Sequence, residues 1–174
     1  MEKVSKKINI NKMKNVLLLI AISISIAIHA QVTRVYFQAS GLTCSMCSNS
    51  IYKALKTLDF VDKIDADVRN YTFELTFKPN SSVDFDKIKR KVEDAGFSVS
   101  SFHASVYFDN IQLKDNQPVK IGSNTLLFVN QKDEALNGEK KIRLLDKGFV
   151  SSKEYKSNNF SKSQTGEGTY HVTL

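Results

Sequence analysis

The chain has 174 residues, 41% of them apolar and 25% charged, with 25 basic side chains against 18 acidic ones and two cysteines, Cys44 and Cys47. That length suits one domain or two small ones, with enough apolar residues to build a core. Five lysines (Lys3, Lys6, Lys7, Lys12, Lys14) and Glu2 fall between Met1 and Ala30, so the remainder carries 20 basic and 17 acidic groups, a net +3, and nucleic-acid binding has no electrostatic footing.

The first feature in chain order is a targeting signal. Lys12 and Lys14 precede an apolar run from Val16 to Ile28, broken only by Ser23 and Ser25, and Ile28-His29-Ala30 fits the small-residue cleavage rule loosely. A bilayer-spanning helix needs about 20 apolar residues, more than this run supplies. The run is therefore read as a secretory signal over residues 1–30, cut after Ala30, with an uncleaved anchor as the alternative. The expected location is periplasmic or secreted, with the membrane serving only as the route out. A start at Met13 would give the same signal without the segment from Met1 to Lys12.

Residues 34–39 alternate, with Val35, Phe37 and Ala39 on one face and Arg34, Tyr36 and Gln38 on the other, which predicts a half-buried strand. Ile51, Ala54, Leu55 and Leu58 recur at helical spacing, predicting a helix over about 48–58. Ile64, Ala66 and Val68 alternate next, and the turn at 69–71 leads into Tyr71, Phe73, Leu75 and Phe77, one of the cleanest strand patterns in the chain. Pro79 and Asn80 end it, Ser81 and Asp84 read as a capping box, and Phe85, Ile88, Val92 and Ala95 line a second helix over about 83–95, closed by Gly96. A fourth strand begins at Phe97. The order β-α-β-β-α-β predicts a ferredoxin-like α+β domain over residues 31–100.

At Ser100 and Ser101 the alternation slips from Phe97 and Val99 to Phe102, Ala104, Val106 and Phe108. A slip of one residue sends side chains to the opposite face unless a bulge or a new element intervenes. It is read as the junction to a second unit, residues 101–174. Strand-like pieces at 102–108, 119–121, 125–130, 140–145 and 169–174, separated by loops at 114–118 and 136–139, make that unit a small mainly-β domain, barrel-like in the simplest reading. Residues 151–157 suit one or two helical turns, and the polar stretch 156–168 reads as a mobile loop.

The cysteines sit on the loop after the first strand, with Cys47 near the start of the first helix. Two thiols three residues apart on a turn entering a helix can converge on one point, and the positive end of the helix favours thiolate. Such a pair suits a soft metal ion, a redox couple or a disulfide, and the residues alone leave the three open.

The segments Gly41–Leu55, Phe60–Phe77 and Val83–Val99 resemble the heavy-metal-associated domain, which copper chaperones, metal-pumping ATPases and the periplasmic mercury-binding protein share. The resemblance covers residues 33 to about 100. It implies that Cys44 and Cys47 are metal ligands, that Leu42 packs under the loop where most members carry Met, and that Thr43 marks a copper- or mercury-type loop. It also sets Phe97 at the position of an aromatic residue found beside the loop in bacterial members. Cu(I) is the expected ion, with Hg(II) or Zn(II) as alternatives, and a metal-transporting or metal-accepting protein is the expected partner. Because relay by ligand exchange breaks no substrate bond, the protein is not expected to be an enzyme. The alternatives are a thiol–disulfide redox protein and an interaction or sensor protein acting through residues 101–174. Met46 is either a thioether donor to Cu(I) or an exposed loop residue. His103 and His171 are candidates for a second site if their strands meet, and ordinary core or surface residues otherwise. Lys53, Lys56, Lys87, Lys89 and Lys91 read as solvated helix faces, or as a docking patch for an acidic partner.

Overall fold

The structure is a computed structural model that describes residues 30–43, 45–113, 117–130, 133–158 and 166–174. The expected secretion signal lies outside the described residues except for Ala30, and so does most of the polar stretch 156–168. Among the described residues no helix is long and apolar enough to cross a membrane.

The elements are β1 (Gln31–Ser40), α1 (Ser45–Leu55), β2 (Val61–Asp67), β3 (Thr72–Phe77), α2 (Phe85–Asp94), β4 (Ser98–Gln112), β5 (Pro118–Ile121), β6 (Asn124–Phe128), β7 (Ala135–Leu144), α3 (Ser152–Ser157) and β8 (Thr169–Thr173). The first six give the expected ferredoxin-like order. Strands β2, β3, β1 and β4 lie side by side and antiparallel, with β1 between β3 and β4. The alternation in β1 buries Val35, Phe37 and Ala39, matched by Phe73 and Leu75 from β3 and by Ile51, Leu55, Phe85, Ile88 and Val92 from the helices. Phe37 stacks on Phe73 at 5.1 Å between ring centroids, and Phe85 meets Phe102 edge-on at 5.4 Å.

Helix α2 starts and stops on local signals. Asp84 is its N-cap, accepting a hydrogen bond from the Lys87 N–H at 2.9 Å. Ser81 instead donates to the Lys78 carbonyl in the preceding turn, so the helix opens with a single cap in place of the expected box. At the far end Gly96 takes φ +89 and its N–H bonds to the Glu93 carbonyl, while the Phe97 N–H reaches the Val92 carbonyl. That pair of bonds makes the left-handed glycine closure expected there.

Three features of the C-terminal half differ from the reading of the sequence. The slip at Ser100–Ser101 is a β-bulge inside β4. Gln38 faces Ser101 and Ala39 faces Val99, so Ser100 is an extra residue and the strand continues to Gln112 on its new phase. Second, the loop expected at 136–139 is part of β7. Gly138, at φ +74, sits at an irregularity where Phe108 and Ile111 of β4 face Gly138 and Leu136, and glycine's freedom at positive φ lets the strand pass through. Third, the extra strands close no barrel. They extend the first sheet into one open eight-stranded sheet in the order β2-β3-β1-β4-β7-β8-β6-β5, because β7 pairs along the outer side of β4 and β8 joins β6 in parallel.

The sheet also shares its core across the expected junction, since one buried cluster runs from Val35 and Phe73 to Leu144, Tyr170 and Val172. Helix α2 is the hinge of that arrangement. The buried Asn124 amide of β6 donates to the Val83 carbonyl at 2.8 Å, and Arg90 pairs with Glu167. Asp86, in the first turn of α2, accepts from Tyr170 Oη at 2.9 Å and from the Gly168 N–H at 3.2 Å, and it pairs with Lys89 at 2.9 Å. Burial alone would raise the Asp86 carboxyl, but the bonds from Lys89, Tyr170 and Gly168 outweigh it and hold its pKa below the ordinary 3.8. Burial, and then the same carboxylate, push the Tyr170 phenol far above its usual range.

A carboxyl whose folded pKa is depressed adds stability above its unfolded value, and that stability is lost as pH falls through the lower folded value. Tyr170→Phe should therefore cost about 1.5–3 kcal/mol at neutral pH, the scale of a hydrogen bond to a charged group. The difference from wild type should shrink below the ordinary carboxylate range. Urea unfolding across pH checks this, and a difference that does not change with pH would contradict it.

Candidate metal centre

Strand β1 delivers the chain to the loop at Ser40. Gly41 turns it at φ +86, a conformation that side-chain-bearing residues adopt at a cost, and a Cβ there would meet the Phe97 ring at 3.9 Å. Leu42 is buried under the loop, as the resemblance implied, whereas Thr43 is exposed. Cys44 lies outside the described residues. Helix α1 opens at Ser45, which puts Cys47 in its first turn, a little earlier than the spacing predicts. There the helix has backbone N–H groups without intrahelical acceptors and the positive end of its dipole.

Cys47 is half-buried and packs against the core cluster. No acidic side chain lies in the first turn of α1 to oppose a thiolate. Thiolate is the form of cysteine that binds metal and attacks disulfides, so this environment suits either chemistry. Met46, the second residue of α1 and not a loop residue, is 78% exposed. Phe97 is partly buried against the core and stands beside Gly41, so it flanks the loop as well as packing.

The structure does not bring the two histidines together. His103 lies on β4, in a small depression with Arg34, Tyr36, Glu74 and Lys141, and its Nε2 is 3.1 Å from Ser101 Oγ. Burial, followed by the charges of Lys141 and Arg143, lowers its pKa. His171 is buried on β8, where its Nδ1 is 2.8 Å from Asp146 Oδ1 and its N–H donates to Asp146 Oδ2 at 2.6 Å. Strand β7 separates β4 from β8, so the backbones of the two strands lie roughly 10 Å apart. Among the described residues no three His, Cys, Asp or Glu side chains gather around one point. Of the lysines expected on solvated helix faces, Lys53, Lys56 and Lys87 are exposed. Lys89 instead pairs with Asp86 and lies 4.9 Å over the Phe149 ring.

One residue near the loop escaped the reading of the sequence. Ser48 directly follows Cys47, is 2% exposed, and its hydroxyl has no hydrogen-bond partner. A serine near a helix start reads as a capping residue, and only the packed helix shows this one turned into the core.

Comparison with known proteins covers the same part of the chain. Residues 36–98 match the model of the heavy-metal-associated domain. The chain is 41% identical over 69 residues to the "Probable copper-transporting ATPase HMA5" of Arabidopsis thaliana, a match covering 40% of this chain and 7% of that one. It is 32% identical over 75 residues to the copper-transporting ATPase HMA5 of Oryza sativa subsp. japonica, covering 43% and 7%. It is also similar to the solved copper-binding domain of HMA7, a P-type ATPase, at 32% identity over 39% of this chain and 90% of that one, with a TM-score of 0.36. The chain thus spans under a tenth of the length of the curated relatives it matches. Residues 36–98 of this chain are a heavy-metal-associated domain, related to those carried by copper-transporting ATPases.

Proposed function

We propose that the protein is a soft-metal carrier that takes one Cu(I) between the thiolates of Cys44 and Cys47 and passes it to a metal-transporting or metal-accepting protein. The observation that carries this reading is the placement of Cys47. It is half-buried in the first turn of α1, directly after a loop whose Leu42 is buried, within a domain related to those of copper-transporting ATPases. Two soft donors suit a soft ion of low coordination number, whereas structural zinc takes four ligands. Hg(II) is the other ion that such a pair suits. Relay proceeds by ligand exchange: a partner thiolate enters, the ion is held by three sulfurs, and the first two leave in turn. Nothing in the step breaks a substrate bond. The secretory character of residues 1–30 supports a periplasmic or secreted carrier.

Titration of the reduced protein with Cu(I), Hg(II) and Zn(II) in competition tests this. The expected result is one Cu(I) or Hg(II) per chain, with both thiols protected from alkylation together and Zn(II) displaced. Turnover in a disulfide-exchange assay with no metal protection of the thiols would move the assignment to thiol–disulfide chemistry.

A further inference from the structure

The added strands leave a cleft where they meet the metal domain, and both halves of the chain line it. Ser40 at the end of β1, Glu93 on α2 and Val99 at the start of β4 come from the first half. Lys147, Val150, Tyr155 and Lys156 come from the second. Local structure sets that second group in place. The ring of Phe149 is buried in the core, and the Phe149 N–H bonds to the Asp146 carbonyl at 3.0 Å, so the turn between Leu145 and Val150 is fixed at its base. Gly148, at φ +85, brings this turn so close to α2 that a Cβ there would meet Lys89 Cδ at 2.9 Å. The cleft measures about 650 Å³. Small-molecule sites span roughly 300–1,000 Å³ and often lie where two units meet.

The lining combines apolar surface with an excess of positive charge. Val99, Val150 and the Tyr155 ring supply the apolar part. Lys89, Lys147 and Lys156 line the cleft against one carboxylate, Glu93, and Lys89 is already held by Asp86 at 2.9 Å. Among the described residues Lys147 and Lys156 make no ion pair, so two exposed ammonium groups are left for one carboxylate. We propose that the cleft is a binding site for a small organic carboxylate with an apolar body. Lys147 and Lys156 hold the carboxylate, and the body lies against Val99, Val150 and Tyr155. Ser40 immediately precedes Gly41, so the occupant sits beside the strand end that carries the metal loop. The site needs both halves of the chain, and it stands whichever ion the cysteines take.

Titration of the full chain with naphthoate, followed by amide chemical shifts, tests this, with naphthamide as the neutral probe of the same shape. The expected result is saturable binding of one naphthoate per chain, with the shifts gathered at Ser40, 98–100 and 147–156. Naphthamide should bind about tenfold more weakly, because it lacks the charge that the two lysines meet. The double variant Lys147→Gln with Lys156→Gln should lose about tenfold in naphthoate affinity and keep its circular dichroism, since both side chains are exposed. Lys120→Gln, an exposed lysine on the edge strand β5, should bind naphthoate as wild type does. Equal affinity for naphthoate and naphthamide overturns the proposal, and so does unchanged affinity in the double variant. Shifts that never saturate, or that gather away from the cleft, overturn it as well.

Discussion

Replacing either cysteine with serine, Cys44→Ser or Cys47→Ser, is expected to weaken Cu(I) binding by well over about 100-fold and to leave the fold in place. Removing an outer partner of a metal ligand already costs roughly 10–100-fold, and here half of the proposed ligand set is lost. Serine is close to cysteine in size but offers a hard oxygen that a soft ion binds poorly. The fold should survive because Cys47 packs only at the edge of the core, while the interior is carried by Phe37, Phe73, Leu75, Ile51 and Leu55. Circular dichroism should be unchanged, and competition with a Cu(I) chelator should show the loss. Tight binding in both variants would move the site away from the loop, with His103 next to be tested. His171 would not join it, since β7 stands between them.

The heavy-metal-associated half was legible because its signals are local. The alternation through Tyr71, Phe73, Leu75 and Phe77 becomes β3, with Phe73 and Leu75 buried, and the caps at Asp84 and Gly96 bound α2 close to the expected ends. The C-terminal half shows the limit of the same reasoning. Its strands are visible as alternation, but alternation does not say which strand lies beside which. The neighbours β7-β8-β6-β5 are out of sequence order and include a parallel pair, from Thr125 opposite Thr169 to Phe128 opposite Val172, whose strands are separated in the chain by β7 and α3. A bulge also looks in sequence like a boundary, because both shift the phase by one residue. Only the pairing of Gln38 with Ser101 and Ala39 with Val99 separates the two at Ser100. At the metal loop the cysteine spacing was plain. The orphan hydroxyl of Ser48 and the seat of Lys89 over the Phe149 ring depend on tertiary contacts that no local pattern records.

The largest effect on stability is expected at Phe149. Its ring is 1% exposed and closes a cycle of four aromatic side chains. Phe85 of α2 meets Phe102 of β4 at 5.4 Å, Phe102 meets Phe149 at 5.1 Å, Phe149 meets Tyr170 of β8 at 5.3 Å, and Tyr170 returns to Phe85 at 5.4 Å. The Phe149 contacts are edge-on, at 83° and 85°, the arrangement in which a positive ring edge meets a negative face. Phe149→Ala removes a fully buried ring and should cost about 3–5 kcal/mol. What matters more is how that loss is distributed. If residues 31–100 and 101–174 folded independently, the variant would weaken one transition and leave the other alone. The cycle argues otherwise, because Phe85 and Phe102 belong to elements that also carry the metal domain, and β4 runs unbroken across the boundary. Wild type is therefore expected to unfold in one urea transition, followed alike by far-UV circular dichroism and by hydrogen exchange in β1 and β8. Phe149→Ala should move that transition as a whole and deprotect β1 together with β8. Two separated transitions, with β1 protection unchanged in the variant, would show that the added strands are a separate unit resting on the metal domain.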